Sequence, residues 1–115
     1  MKKLLLVFII IILAPLLGCT SATTTLYKND TTYPATSPEK ISIFRQKPPN
    51  VDFIELGEIR VSNRGADIES VEKRMKKEAA KLGGDAVYII NQISLSADIP
   101  ADRQLIVTGI VIKYR

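Results

Sequence analysis

The sequence predicts an α+β fold in the order β-β-α-β-β, a four-stranded mixed sheet with one helix packed on one face. Three observations carry this. Apolar residues recur at spacings of three and four between Asp67 and Leu82, two long β-branched runs fill the last third of the chain, and an earlier strand changes phase at a glycine. The 115 residues divide into a leader at 1–18, a spacer at 19–38 and a folded domain at 39–115.

The leader opens with the basic Met1-Lys2-Lys3, followed by an unbroken apolar run from Leu4 to Leu13, which Ala14-Pro15 ends. A basic start and a short apolar core are the grammar of an export signal. A membrane-spanning helix needs about 20 apolar residues, and Pro15 and Gly18 interrupt this stretch before that length is reached. Leu16-Leu17-Gly18-Cys19 resembles the lipobox of bacterial lipoproteins: an aliphatic residue three before the cysteine, a small residue directly before it, then the thiol. The departure is Leu17, where Ala, Ser or Thr is commoner. The resemblance implies that Leu16, Leu17 and Gly18 are read by a lipoprotein signal peptidase and that Cys19 carries a diacylglyceryl group and becomes the new N-terminus. It also implies a lipid anchor in the bacterial cell envelope. With Thr20 rather than Asp after the cysteine, the outer membrane is favoured in a two-membrane organism.

Thr20 to Pro38 is rich in Thr and Ser, with Thr23-Thr24-Thr25, Thr31-Thr32 and two prolines. Its composition predicts a flexible spacer, with a reach of about 25 Å as a random coil. The competing expectation is that Leu26-Tyr27 and Tyr33 dock back on the domain.

Ile41 to Phe44 reads as a short strand, bounded ahead by Pro48-Pro49-Asn50. In the second strand Ile54 and Leu56 occupy even positions and Ile59 and Val61 odd ones, with Gly57 between them, the pattern a β-bulge leaves. The helix places Ile68, Val71, Met75, Ala79 and Leu82 on one stripe, with Asp67 as N-cap and Gly83 as the C′ residue. Glu69 with Lys73 and Glu72 with Lys76 have favourable i,i+4 spacing. Ala86 to Ile90, with Ile93 and Leu95 beyond, reads as a central strand, and Asn91-Gln92 as a polar edge or an exposed strand end. After a loop from Ser96 to Arg103, Leu105 to Ile112 forms its antiparallel neighbour. A right-handed crossover through the helix joins the second and third strands.

Loss of Lys2 and Lys3 with the leader reduces 16 basic residues to 14, against 12 acidic ones. That near-neutral balance argues against a nucleic-acid binder. Lys73, Arg74, Lys77 and Lys81 fall within about 100° of arc opposite the apolar stripe, a basic face that suits a protein partner or anionic headgroups or, more plainly, solvent. Cys19 is the sole cysteine and there is no histidine, so no Cys/His metal site and no internal disulfide is expected, and no cofactor is implied.

Several segments are similar to the small α+β domain of RcsF-type outer-membrane stress-sensor lipoproteins and the related YbjQ-type domains. They are Tyr33-Pro34-Ala35-Thr36, Ile41 to Phe44, Pro48, Ile54-Glu55-Leu56-Gly57-Glu58-Ile59 and Ala79-Ala80-Lys81-Leu82-Gly83-Gly84-Asp85-Ala86-Val87. The resemblance spans Tyr33 to the C-terminus and implies an envelope-stress or interaction module with a protein partner. RcsF-type sensors carry disulfide-forming cysteines in the folded domain, and this chain has none after Cys19. The heavy-metal label attached to YbjQ-type domains finds no His or domain Cys to rest on. With no convergent acid, base or nucleophile, an enzyme is not expected. The alternative is a small-ligand-binding lipoprotein, for which one helix on a sheet leaves little cavity volume.

Overall fold

The computed structural model describes residues 20–27, 32–65, 67–99 and 102–115. In chain order the elements are β1 (Thr20–Leu26), a 3-10 turn at Pro38–Lys40, β2 (Ser42–Phe44), β3 (Phe53–Arg64), α1 (Ile68–Lys81), β4 (Ala86–Leu95) and β5 (Gln104–Tyr114). The class is α+β, with one helix against a mixed sheet. The sheet has five strands among the described residues, in the spatial order β1-β3-β5-β4-β2. β1–β3, β3–β5 and β4–β5 are antiparallel, and β2–β4 is parallel.

The fifth strand corrects the expectation of four strands and, over Thr20–Leu26, that of a flexible spacer. Thr20 through Leu26 pair residue for residue with Asn63 through Gly57, and the amide of Tyr27 extends the ladder to the Leu56 carbonyl at 3.1 Å. The composition that suggested a spacer also suits a strand, because threonine is β-branched and packs well on a pleated surface. Thr20, Ala22 and Thr24 alternate with the more exposed Ser21, Thr23 and Thr25, and Ala22 packs against the core. Without β1, the twelve residues of β3 would present a long open edge. Residues 32–38 also dock: Thr36 donates its amide to Ala80 O at 2.8 Å and its hydroxyl to Gly84 O at 2.7 Å.

The helix ends follow the expected grammar. Asp67 accepts from the Glu69 amide at 3.1 Å and from the Ser70 hydroxyl at 2.6 Å. At the other end Gly83 has φ +78° and donates to Ala80 O, while Gly84 donates to Ala79 O, the paired bonds of a Schellman motif. Val71, Met75 and Ala79 are fully buried against Ile59, Val61, Val87, Val107 and Val111, and Ile68 and Leu82 pack at the margins. The phase change in β3 is a register shift between Glu55 and Gly57, as a bulge requires, and β4 carries a second one between Ile89 and Asn91.

Two crossovers share the sheet. The helix carries the chain from β3 past β5 to the parallel β4. Residues 45–52 carry it in the opposite direction from β2 to the parallel β3. The right-handed rule for parallel connections places two that run in opposite directions on opposite faces. Ala86 and Ile112, register neighbours on the face away from the helix, are accordingly 0% and 1% exposed. Among the described residues, no helix lies over the rest of that face.

Candidate functional site

Leu16, Leu17, Gly18 and Cys19 lie outside the described residues. The four basic helix residues are described, and the structure does not leave them as one free patch. Lys73, Lys77 and Lys81 are exposed and Arg74 is half-buried. Between them stands Glu78, 3.2 Å from Arg74 Nε and 3.3 Å from Lys81 Nζ. The spacing of Glu78 to both partners, four and three residues, is the sequence signal for these pairs. Glu78 itself is only 13% exposed, and by pairing with two of the four cations it reduces the free basic face to Lys73 and Lys77. Glu72, expected beside Lys76, instead pairs with Arg45, which follows β2 and also donates to Gln92 at 3.2 Å.

Segments 33–36 and 83–85 meet at the C-terminal end of α1. Tyr33, Pro34 and Thr36 lie against Gly83 and Gly84, where a Cβ on Gly83 would meet both Pro34 O and Tyr33 Cβ at 2.6 Å. Lys113 Nζ sits 5.0 Å above the Tyr33 ring and 3.4 Å from Gly83 O. Asp85 accepts the Tyr114 amide at 2.9 Å and pairs with Lys113 at 3.9 Å. Each of these groups closes a backbone junction. These contacts pack the 32–38 segment onto the helix end.

A cavity of about 150 Å³ opens beside this junction, lined by Leu26, Tyr27, Tyr33, Leu56, Lys81 and Leu82. Burial, then the charges of Glu58 and Glu55, push the Tyr27 hydroxyl above its ordinary pKa. The volume falls below the roughly 300 Å³ at which small-molecule sites begin. Among the described residues no group of three His, Cys, Asp or Glu is placed to hold a metal ion.

The larger feature is the sheet face away from the helix. Register places Ser62, Ile106 and Ile93 in one row, Arg60, Thr108 and Asn91 in the next, and Glu58, Ile110 and Tyr88 in a third. The β1–β3 half of this face is polar, with Thr23, Thr25, Glu58, Arg60 and a Ser21–Ser62 hydroxyl pair at 2.9 Å. The β5–β4 half is mostly apolar, with Ile106, Ile110, Tyr88, Ile93 and Leu95 around the polar Thr108–Asn91 row. Because β2 pairs only with Ala86, Val87 and Tyr88, no described strand lies on the other edge of β4 from Ile89 to Leu95. The sequence signal for this face was present: Leu105 to Ile112 is apolar at nearly every position, with no polar side to mark as solvent.

No protein-family model matches the chain, and no curated protein sequence does. Among solved structures, the crystal structure of the Francisella virulence factor FvfA in its orthorhombic form is similar. It has a TM-score of 0.63 and 16% identity, and the match covers 80% of this chain and 96% of that one. At that identity the likeness is one of fold.

Proposed function

We propose that the chain is a lipid-anchored envelope lipoprotein whose small domain is an interaction or stress-sensing module of the RcsF-like kind. The observation that carries the reading is the leader ending in Leu16-Leu17-Gly18-Cys19, one residue before the first described strand. Acyl chains on Cys19 stabilise anchoring by about 0.8 kcal/mol per buried methylene, and two or three chains make it effectively permanent. The domain then works at a bilayer, in the outer membrane where the organism has one.

Interaction is favoured over ligand capture because the cavity beside Tyr27 is small, whereas the open sheet face offers an extended, half-apolar surface. Catalysis is not favoured: the sequence has no histidine and no cysteine beyond Cys19, and Asp67 and Asp85 are already occupied with backbone amides. The partner is an envelope protein met through the open face, with Lys73 and Lys77 as the secondary, basic surface.

Growth with a tagged fatty acid tests the anchor. The wild-type chain is expected to take up label and lose its leader, and Cys19→Ser to do neither. An unlabelled wild-type chain that retains the leader would overturn the reading. Cross-linking in native envelopes tests the module, through stoichiometric recovery of one protein partner that is lost in an Ile110→Glu variant.

A further inference from the structure

We infer that the end of the domain bearing Leu95 and Ile99 rests in the headgroup zone of the bilayer that anchors Cys19, so that the strands point away from the membrane. The inference rests on the lipoprotein reading. It adds to that reading a surface, an orientation and an occupant.

The first support is where the chain enters the sheet. Thr20 pairs with Asn63, Asn63 with Leu105, and Leu105 with Ser94, so these four residues form one row across the sheet. Cys19 is one peptide bond from Thr20, and consecutive Cα atoms are about 3.8 Å apart. An acylated Cys19 therefore has no spacer. The row itself is held within a few ångströms of the lipid, and neighbouring strands spaced by about 4.8 Å put Ser94 on the order of 15 Å along it from the anchor.

The second support is what lies beyond that row. Past Ser94 come Leu95 and the β4–β5 loop, past Leu105 come Gln104 and Arg103, and past Asn63 comes Arg64. The amide of Gly65 donates to Arg103 O at 2.7 Å, which ties the loop to the end of β3. Leu95 is 47% and Ile99 59% exposed, and Ile93, one pleat back, is 39% exposed. Three large apolar side chains unburied at the end where the lipid is attached are costly in water and favourable in an interface. Arg64 and Arg103 are exposed at the same end, suited to lipid phosphates, while the exposed carboxylates of Asp98 and Asp102 belong at headgroup level rather than in the hydrocarbon.

A site-specific dye on the full lipidated chain tests this. Acylation consumes the Cys19 thiol, so a thiol introduced by Ile99→Cys takes a polarity-sensitive fluorophore alone. Arg115→Cys serves as the reference, at the far end of β5 and on the order of 30 Å away along the strand. On vesicles of phosphatidylethanolamine and phosphatidylglycerol, the dye at 99 is expected to shift to the blue and become several-fold less accessible to an aqueous quencher than the dye at 115. A flexible Gly/Ser insert of about twenty residues between Cys19 and Thr20, with a span of about 25 Å, is expected to restore access at 99. Equal quenching at 99 and 115 in protein that floats with the vesicles overturns the orientation while leaving the anchor standing, and shielding that survives the insert overturns the short leash as its cause. Protein that neither floats nor carries acyl mass overturns both.

Discussion

The two faces of β5 are built from the same kinds of residue and meet different surroundings. Leu105, Val107, Gly109 and Val111 face the helix and are buried, whereas Ile106, Thr108 and Ile110 face the other way and stay half-exposed. β-branched composition thus sets strand character on both sides, and the cover supplied by the rest of the chain decides which side becomes core. The difference gives the largest expected effect. Ile59→Ala, under the helix, removes a fully buried side chain and should cost about 2–5 kcal/mol, because the cavity adds to the lost transfer energy. Ile110→Ala should cost about 1 kcal/mol or less, in proportion to the smaller area it hides. Urea denaturation of both variants measures the contrast. Comparable losses would mean that the outer face is covered as well as the inner one.

The two outer strands sharpen the comparison further. β2 is three residues long and follows the buried Ile41, while β1 runs for seven residues and is attached chiefly through its ladder with β3. A Cβ at Gly57 would lie 2.6 Å from the carbonyl oxygen of Thr25, a backbone atom that cannot swing aside. Gly57→Ala should therefore cost about 1–3 kcal/mol, as overpacking does, and should release β1 selectively. Amide exchange is the check: protection falls over 20–26 and persists in β5. Unchanged protection over 20–26 would show that β1 is held by more than its ladder.

This asymmetry also explains what was legible in the sequence. The helix was readable to the residue because its signals are local and redundant: a 3–4 stripe, an N-cap acid and a C′ glycine. The bulge was readable because a glycine marks the phase change. β1 was not, since serine and threonine suit spacers and edge strands equally and its partner lies 31 to 43 residues away, at Gly57 to Asn63. Of the candidate site, the basic helix residues were named, but the neutralising Glu78 was passed over despite its helical spacing. The open face depends on which strands neighbour β5 and on which side the 45–52 segment crosses, and neither is encoded locally. Cys19 and the three residues before it rest on the leader's own pattern.

The smallest expected effect lies where the covered face begins. The Ser70 hydroxyl, outweighing partial desolvation and helped by the Glu69 and Ser70 amides, holds the Asp67 carboxyl below its ordinary pKa. A folded-state pKa below the unfolded one adds stability that is complete above the ordinary carboxylate range and lost as pH falls through the lowered value. Asp67→Asn keeps a capping oxygen but cannot titrate, so its stability should fall less steeply on acidification than that of the wild type, with the two curves diverging most at neutral pH. Glu39, lowered by the Ser37 hydroxyl, shapes the same acid limb, and Glu39→Gln serves as the comparison. Thermal melts of the three proteins between neutral and acidic pH separate the contributions. Parallel Asp67→Asn and wild-type curves would show that the carboxylate caps α1 no better than a neutral amide, and that the start of the helix is held by its packing on β3 rather than by its cap.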